Sequence, residues 1–152
     1  MSSVVDFGND IGYRLSRALR GYLSVTARAV GVGWESCTVD LDEPVSAYIA
    51  LDWRLARFPG RDVALLWDEV NGWAVAVEEP GGERAIVLAY LGGDRLVPEP
   101  ASVVALLAAV RADDHSIGQP DPPGLRRSGR HEELLDCFRI AGDALRSNSS
   151  PA

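Results

Sequence analysis

The chain has 152 residues, 47% of them hydrophobic and 24% charged, with a formal net charge of −7. That length suits one domain with its own core, and the acidic balance argues against a general nucleic-acid binder, whose phosphate contacts need accumulated positive charge. No apolar run approaches the roughly 20 residues that span a bilayer. The opening MSSVVDFGND has neither the basic nor the apolar region of a secretory signal. Cys37 and Cys137 lie far apart without CxxC spacing, so neither a disulfide framework nor a structural zinc site is expected and a cytoplasmic protein is. All 15 basic side chains are arginine. A GC-rich genome accounts for that bias, as would selection for guanidinium chemistry. Either way, a lysine Schiff base and a Walker-type lysine are excluded.

Residues 10–30 predict the first helix, with Ile11, Leu15, Leu19, Tyr22 and Thr26 at helical spacing, Asn9 or Asp10 as cap and Gly31 as stop. Arg14, Arg17, Arg20 and Arg28 fall on the opposite side, as a solvated face or as a docking face for an acidic partner, a second copy of the chain included. Short alternating runs follow at ESCTVDL and VSAYIALD, where a turn pairs Val39 with Ala47 and Leu41 with Val45.

Residues 61–93 read as a three-stranded meander. A three-residue loop Val70–Asn71–Gly72 pairs Glu69 with Trp73, Trp67 with Val75 and Leu65 with Val77. A Gly81–Gly82 turn then pairs Val77 with Ile86, Val75 with Leu88 and Trp73 with Tyr90. This places Val63, Leu65, Trp67, Trp73, Val75 and Val77 on one face. The other carries Ala64, Ala74, Ala76, Ala85, Val87 and Ala89, small enough for a helix or a symmetry mate to approach. The tryptophans then belong to the core, and Asp68 and Glu69 flank a turn instead of forming a catalytic pair.

Pro98 and Pro100 announce a helix over 101–112, residues 113–129 read as a Pro/Gly-rich linker, and residues 130–146 form a final amphipathic helix. The tail 147–152 is expected to be disordered. The expected fold class is α+β: an N-terminal helix, a five-stranded antiparallel meander and a helix within residues 1–112, then the linker and the C-terminal helix.

No constellation for catalysis, metal binding or a cofactor is visible. HEELL at 131–135 lacks the second histidine of a zinc pair, and the acids early in that helix suit its dipole. Asp40, Asp42 and Glu43 have no EF-hand loop around them. The densest cluster left is Trp53, Arg54, Arg57, Phe58 and Arg61, guanidinium groups beside aromatics that suit a carboxylate, a phosphate or an acidic surface. A plain connecting loop, its arginines paired with Asp52 and Asp62, is the alternative.

RDVALLWDEVNGWAVAVE followed by VLAYLGGD, with RFPGRD before it, resembles a small actinobacterial family to which no activity is assigned, over residues 10–112. That resemblance implies a single cytoplasmic domain and carries over no site residues. In element order the core is also similar to secretion-chaperone-like α+β folds, which are often dimers.

The function expected is a non-enzymatic interaction or regulatory module. It would be homodimeric or bind a protein partner, with Leu134, Leu135, Phe138, Ala141 and Leu145 of the last helix as the partner-facing stripe. The alternative is a protein binding an anionic small molecule, or a small enzyme, with a pocket rimmed by the 53–61 loop. A DNA-binding accessory using Arg14, Arg17 and Arg28 ranks below both.

Overall fold

The computed structural model describes residues 10–149, with the side chains of the last helix described as far as Asp143. The element order is α1 (Ile11–Ala29), a single 3-10 turn (Trp34–Ser36), β1 (Cys37–Asp40), β2 (Ser46–Ala50), β3 (Val63–Asp68), β4 (Gly72–Glu78), β5 (Ala85–Tyr90), α2 (Pro100–Arg111) and α3 (His131–Ser149). This is an α+β fold whose five strands form one antiparallel sheet in the order β1-β2-β3-β4-β5. Asp10 caps α1 by accepting the Gly12 N–H at 2.8 Å. Pro100 stands at the start of α2, where its missing N–H costs nothing. Helix α3 runs to Ser149, past the end expected at 146, and the rest of the expected disordered tail lies outside the described residues.

The core lies on one face of the sheet. Val63, Leu65, Trp67, Trp73, Val75 and Val77 meet Leu15, Leu19 and Leu23 of α1, Val103 and Leu106 of α2, and Leu134 and Phe138 of α3. The expected faces are therefore observed, although the β3–β4 register is not the expected one. Trp67 stands opposite Trp73, Leu65 opposite Val75 and Asp68 opposite Gly72, a slide of two residues. A slide of two leaves every side chain on its face, so hydrophobic patterning cannot distinguish the two registers. The Asp68 carboxylate decides: its Oδ1 accepts the N–H groups of Val70 and Asn71, both at 2.8 Å, and fixes the turn over Glu69–Val70–Asn71. Gly72, at φ 70°, closes it in a backbone conformation that suits glycine.

The β4–β5 register follows expectation from Glu78–Ala85 to Ala76–Val87, and a bulge then shifts it. Ala89, not Leu88, stands opposite Val75, and Tyr90 stands opposite Ala74. Ala89 thus joins the core side and Tyr90 leaves it. In β1–β2, Val39 pairs with Ala47 as expected.

On the outer face, Thr38, Tyr48, Leu66, Ala74 and Tyr90 form one cross-strand row, and Ala50, Ala64, Ala76 and Val87 the next. The Tyr48 hydroxyl donates to Glu78 Oε1. To reach from β2 to β4 the ring crosses the row of Ala64 and Ala76, which explains why both alanines are buried on a face without a helix. Burial, then the hydrogen bond to Glu78 and its negative charge, push Tyr48 up to about 12. The folded value exceeds the unfolded one, so this contribution to stability is complete below about pH 10 and is lost as the pH rises through the folded value. Alkaline titration followed by phenolate absorbance is expected to show a late step that Tyr48→Phe removes. A wild-type protein without that step would mean that the ring is free of Glu78.

Candidate functional site

Helix α1 buries Leu15, Leu19, Tyr22, Leu23 and Thr26 and turns Arg14, Arg17, Arg20 and Arg28 outward. Helix α3 lies against it and buries Leu134, Leu135 and Phe138, while Glu132, Glu133, Asp136 and Arg139 face solvent. The two helices do not close fully on each other. Ala18 and Gly21 on α1 and Ala141 and Gly142 on α3 are too small to fill the space between them, and a cavity of about 420 Å³ opens there. Its floor includes the rings of Tyr22 and Phe138, and Arg17 and Arg139 also line it.

The floor is held rigidly. The Tyr22 hydroxyl donates to Pro98 O at 2.6 Å and accepts the Trp73 indole N–H at 2.9 Å. Phe138 packs edge-on against Tyr22 at 5.8 Å and tilted against Trp67 at 5.6 Å between ring centroids. At the edge of this groove Val25 stands 48% exposed. Elsewhere on the surface Tyr13 has Arg17 over its ring, and Trp34 has Arg20 over its ring.

The model of a family described as a family of unknown function (DUF6292) matches residues 22–109. The chain belongs to this family. The match spans the second half of α1, the whole sheet and most of α2; α3 and the segment before it lie outside the DUF6292 region. One wall of the groove is therefore a family element, and the other is an addition to it. No curated protein and no solved structure matches the chain.

The partner-facing stripe expected on the last helix is used within the chain. Leu134, Leu135 and Phe138 are buried, Ala141 lines the groove, and the Leu145 side chain lies outside the described residues. The arginine-rich 53–61 segment also turns inward on its own fold. Arg57 donates to Val110 O at 2.7 Å at the end of α2 and lies 3.8 Å from Asp113, with Phe58 beneath its guanidinium. Such a cation meets the negative end of a helix. Arg111 stacks on Trp53 at 4.3 Å, Arg54 pairs with Asp62 at 3.0 Å, and the Arg61 N–H donates to Phe58 O. The cleft that Arg57 lines measures about 30 Å³, room for a water molecule and not for a ligand. The Arg54–Asp62 pair is one that the connecting-loop reading of the sequence offered, whereas the acceptor of Arg57 lies at the far end of α2 and has no local signal.

Sequence reasoning also missed a buried ion pair. Glu69 is 0% exposed. It accepts the Val45 N–H at 2.5 Å, the Gly129 N–H at 2.8 Å and Arg126 Nη1 at 2.9 Å. Arg126 also donates to Gly129 O at 2.7 Å and Arg130 O at 3.3 Å. The segment read as a free linker is thus pinned. Tyr90 and Gln119 form a two-bond antiparallel bridge, Leu125 donates to Val70 O, and Gly124 donates to the Asn71 side chain. The signal available in the sequence was Leu125, an apolar residue in a polar run.

His115 is exposed beside Asp113, and His131 opens α3. Among the described residues no group of three metal-ligating side chains converges, and no helix is long and apolar enough to cross a membrane.

Proposed function

We propose that this DUF6292 chain is a non-enzymatic protein-interaction module that pairs with a second copy of itself through the α1–α3 surface. The observation that carries the reading is the apolar groove itself, floored by Tyr22 and Phe138, with Val25 standing exposed at its edge. A contiguous apolar groove open to solvent marks a contact surface better than apolar side chains scattered singly do.

Charge complementarity selects the occupant. The outward side of α1 is basic through Arg14, Arg17 and Arg20, and that of α3 carries Glu132, Glu133 and Asp136, the last two paired with Arg130 and Arg139. A two-fold axis through the groove sets α1 of each copy on α3 of the other, so each basic face meets an acidic one and each groove receives an apolar side chain.

Sedimentation and native mass spectrometry test this with Gly21→Leu. A Cβ at Gly21 meets nothing within 4 Å, so a larger side chain there starts into the open space of the groove. Within a helix leucine also replaces the poorer helix former, a gain of about 1 kcal/mol. The wild type is expected as a dimer and the variant as a monomer with an equal or higher melting temperature. A wild type that stays monomeric across the micromolar range, or a variant that dimerises as the wild type does, overturns the proposal.

A further inference from the structure

We infer that the α1–α3 groove is also a binding site for an amphiphilic carboxylate, in class an unbranched medium-chain acid, and that its occupancy releases the second copy. The release rests on the dimer proposed above; the site itself stands on the groove alone.

Size comes first. At about 420 Å³ the groove falls within the range of small-molecule sites, about 300–1,000 Å³. The next test is rigidity. Tyr22 is tied through its hydroxyl to Pro98 and Trp73, and Phe138 is wedged between Tyr22 and Trp67. A floor already in place loses little entropy when a ligand settles on it.

The chemistry of the lining then selects the ligand. Among the described residues its charged lining is Arg17 and Arg139, with no carboxylate. The remainder is aliphatic, aromatic or glycine apart from the Tyr22 hydroxyl, which is already bonded. Arg17 rests over the Tyr13 ring at 5.9 Å. Arg139 is 3.3 Å from Asp136, an exposed pair that costs little to rearrange. Two guanidinium groups at an apolar trough fit one carboxylate on a flexible apolar tail: the head takes charge-assisted hydrogen bonds and the tail covers Tyr22 and Phe138. A free headgroup without a tail leaves the rings wet, and a tail without a head forgoes the charge-assisted hydrogen bonds.

Competition follows from geometry. The space that the tail fills is the space the second copy's apolar side chain needs. A ligand that binds only the separated chain shifts the association equilibrium toward separation by mass action.

The test uses the full chain and three probes: decanoate, decanol and acetate. Calorimetry is expected to show one decanoate per chain, with decanol and acetate at least about tenfold weaker, a difference of about 1.4 kcal/mol. Gly21→Leu, its fold checked by circular dichroism, should abolish binding, and the double variant Arg17→Gln/Arg139→Gln should weaken it about tenfold. Backbone resonances of Ala18 and Val25 should shift on titration, a readout independent of any variant. Saturating decanoate should convert the dimer mass to the monomer mass. Equal binding to Gly21→Leu, or decanol as tight as decanoate, overturns the site. A dimer that persists with the groove saturated overturns the release. A wild type that is monomeric yet binds decanoate at Ala18 and Val25 overturns the dimer reading and supports the site.

Discussion

Arg126→Ala is expected to cost about 3–5 kcal/mol of stability, the range for removing one partner of a buried ion pair. The reason is where the pair sits. Glu69 is 0% exposed, and its partner's side chain is 14% exposed. Without the guanidinium, the carboxylate keeps two backbone donors, from Val45 and Gly129, but no positive charge. Removing one member of a buried pair leaves the other charge uncompensated in a medium that solvates it poorly. The carbonyls of Gly129 and Arg130 lose their donor in the same step. By contrast, Arg54→Ala breaks a pair in which both side chains are more than half exposed and should cost about 1 kcal/mol or less. Replacing both partners by apolar residues of similar volume, Glu69→Leu with Arg126→Met, should recover much of the loss, because no charge is then left buried. Urea denaturation of the four proteins measures this directly. A loss below about 1 kcal/mol for Arg126→Ala would show that the pair does not hold α3 in place. Amide exchange gives the location: protection should fall first at the start of α3, where Arg126 grips Gly129 and Arg130.

The ion pair also shows where reading the sequence stops. Alternation in Val63, Leu65 and Trp67 and in Trp73, Val75 and Val77 determines which face is buried, because one step along a strand reverses the side chain. It carries no information about slides of two, so the β3–β4 register depended on the Asp68 side chain bonding its own turn. Glu69 looked like a turn acid because its partner lies 57 positions later. Nothing local announces that distance. The 113–129 segment has loop composition and loop backbone, yet its hydrogen bonds to the sheet make it a strap instead of a tether. Composition reports a lack of regular structure, which differs from a lack of contacts. For the groove, the arginine face of α1 was legible at helical spacing, but the small residues Ala18 and Gly21 become a recess only once α3 is placed beside them. Periodicity assigns a face to a helix and leaves its neighbour open.

Phe138→Ala is expected to lower stability by about 3–5 kcal/mol, the range for removing a buried aromatic ring. The ring is almost fully buried and touches Trp67 and Tyr22, the two side chains that link the sheet to the helical layer. Its loss leaves a void beneath the groove that neither neighbour can fill, since each is held by a hydrogen bond: Trp67 donates to Leu96 O at 2.9 Å and Tyr22 to Pro98 O. Phe138→Leu should retain most of the buried apolar area and cost less than half as much as alanine. Thermal unfolding followed by tryptophan fluorescence reads both quantities, because water entering beside Trp67 shifts its emission to the red. If α3 were a partner-seeking arm, Phe138→Ala would change the oligomeric mass and leave the unfolding midpoint alone. Truncation after Gly129 takes the argument one step further. It removes Leu134, Leu135 and Phe138 together and uncovers Tyr22 and Trp67, so the shortened chain should lose its sharp transition and bind apolar dyes. A truncated chain that unfolds as cooperatively as the whole would place α3 outside the folding unit and leave the DUF6292 region to form its core alone.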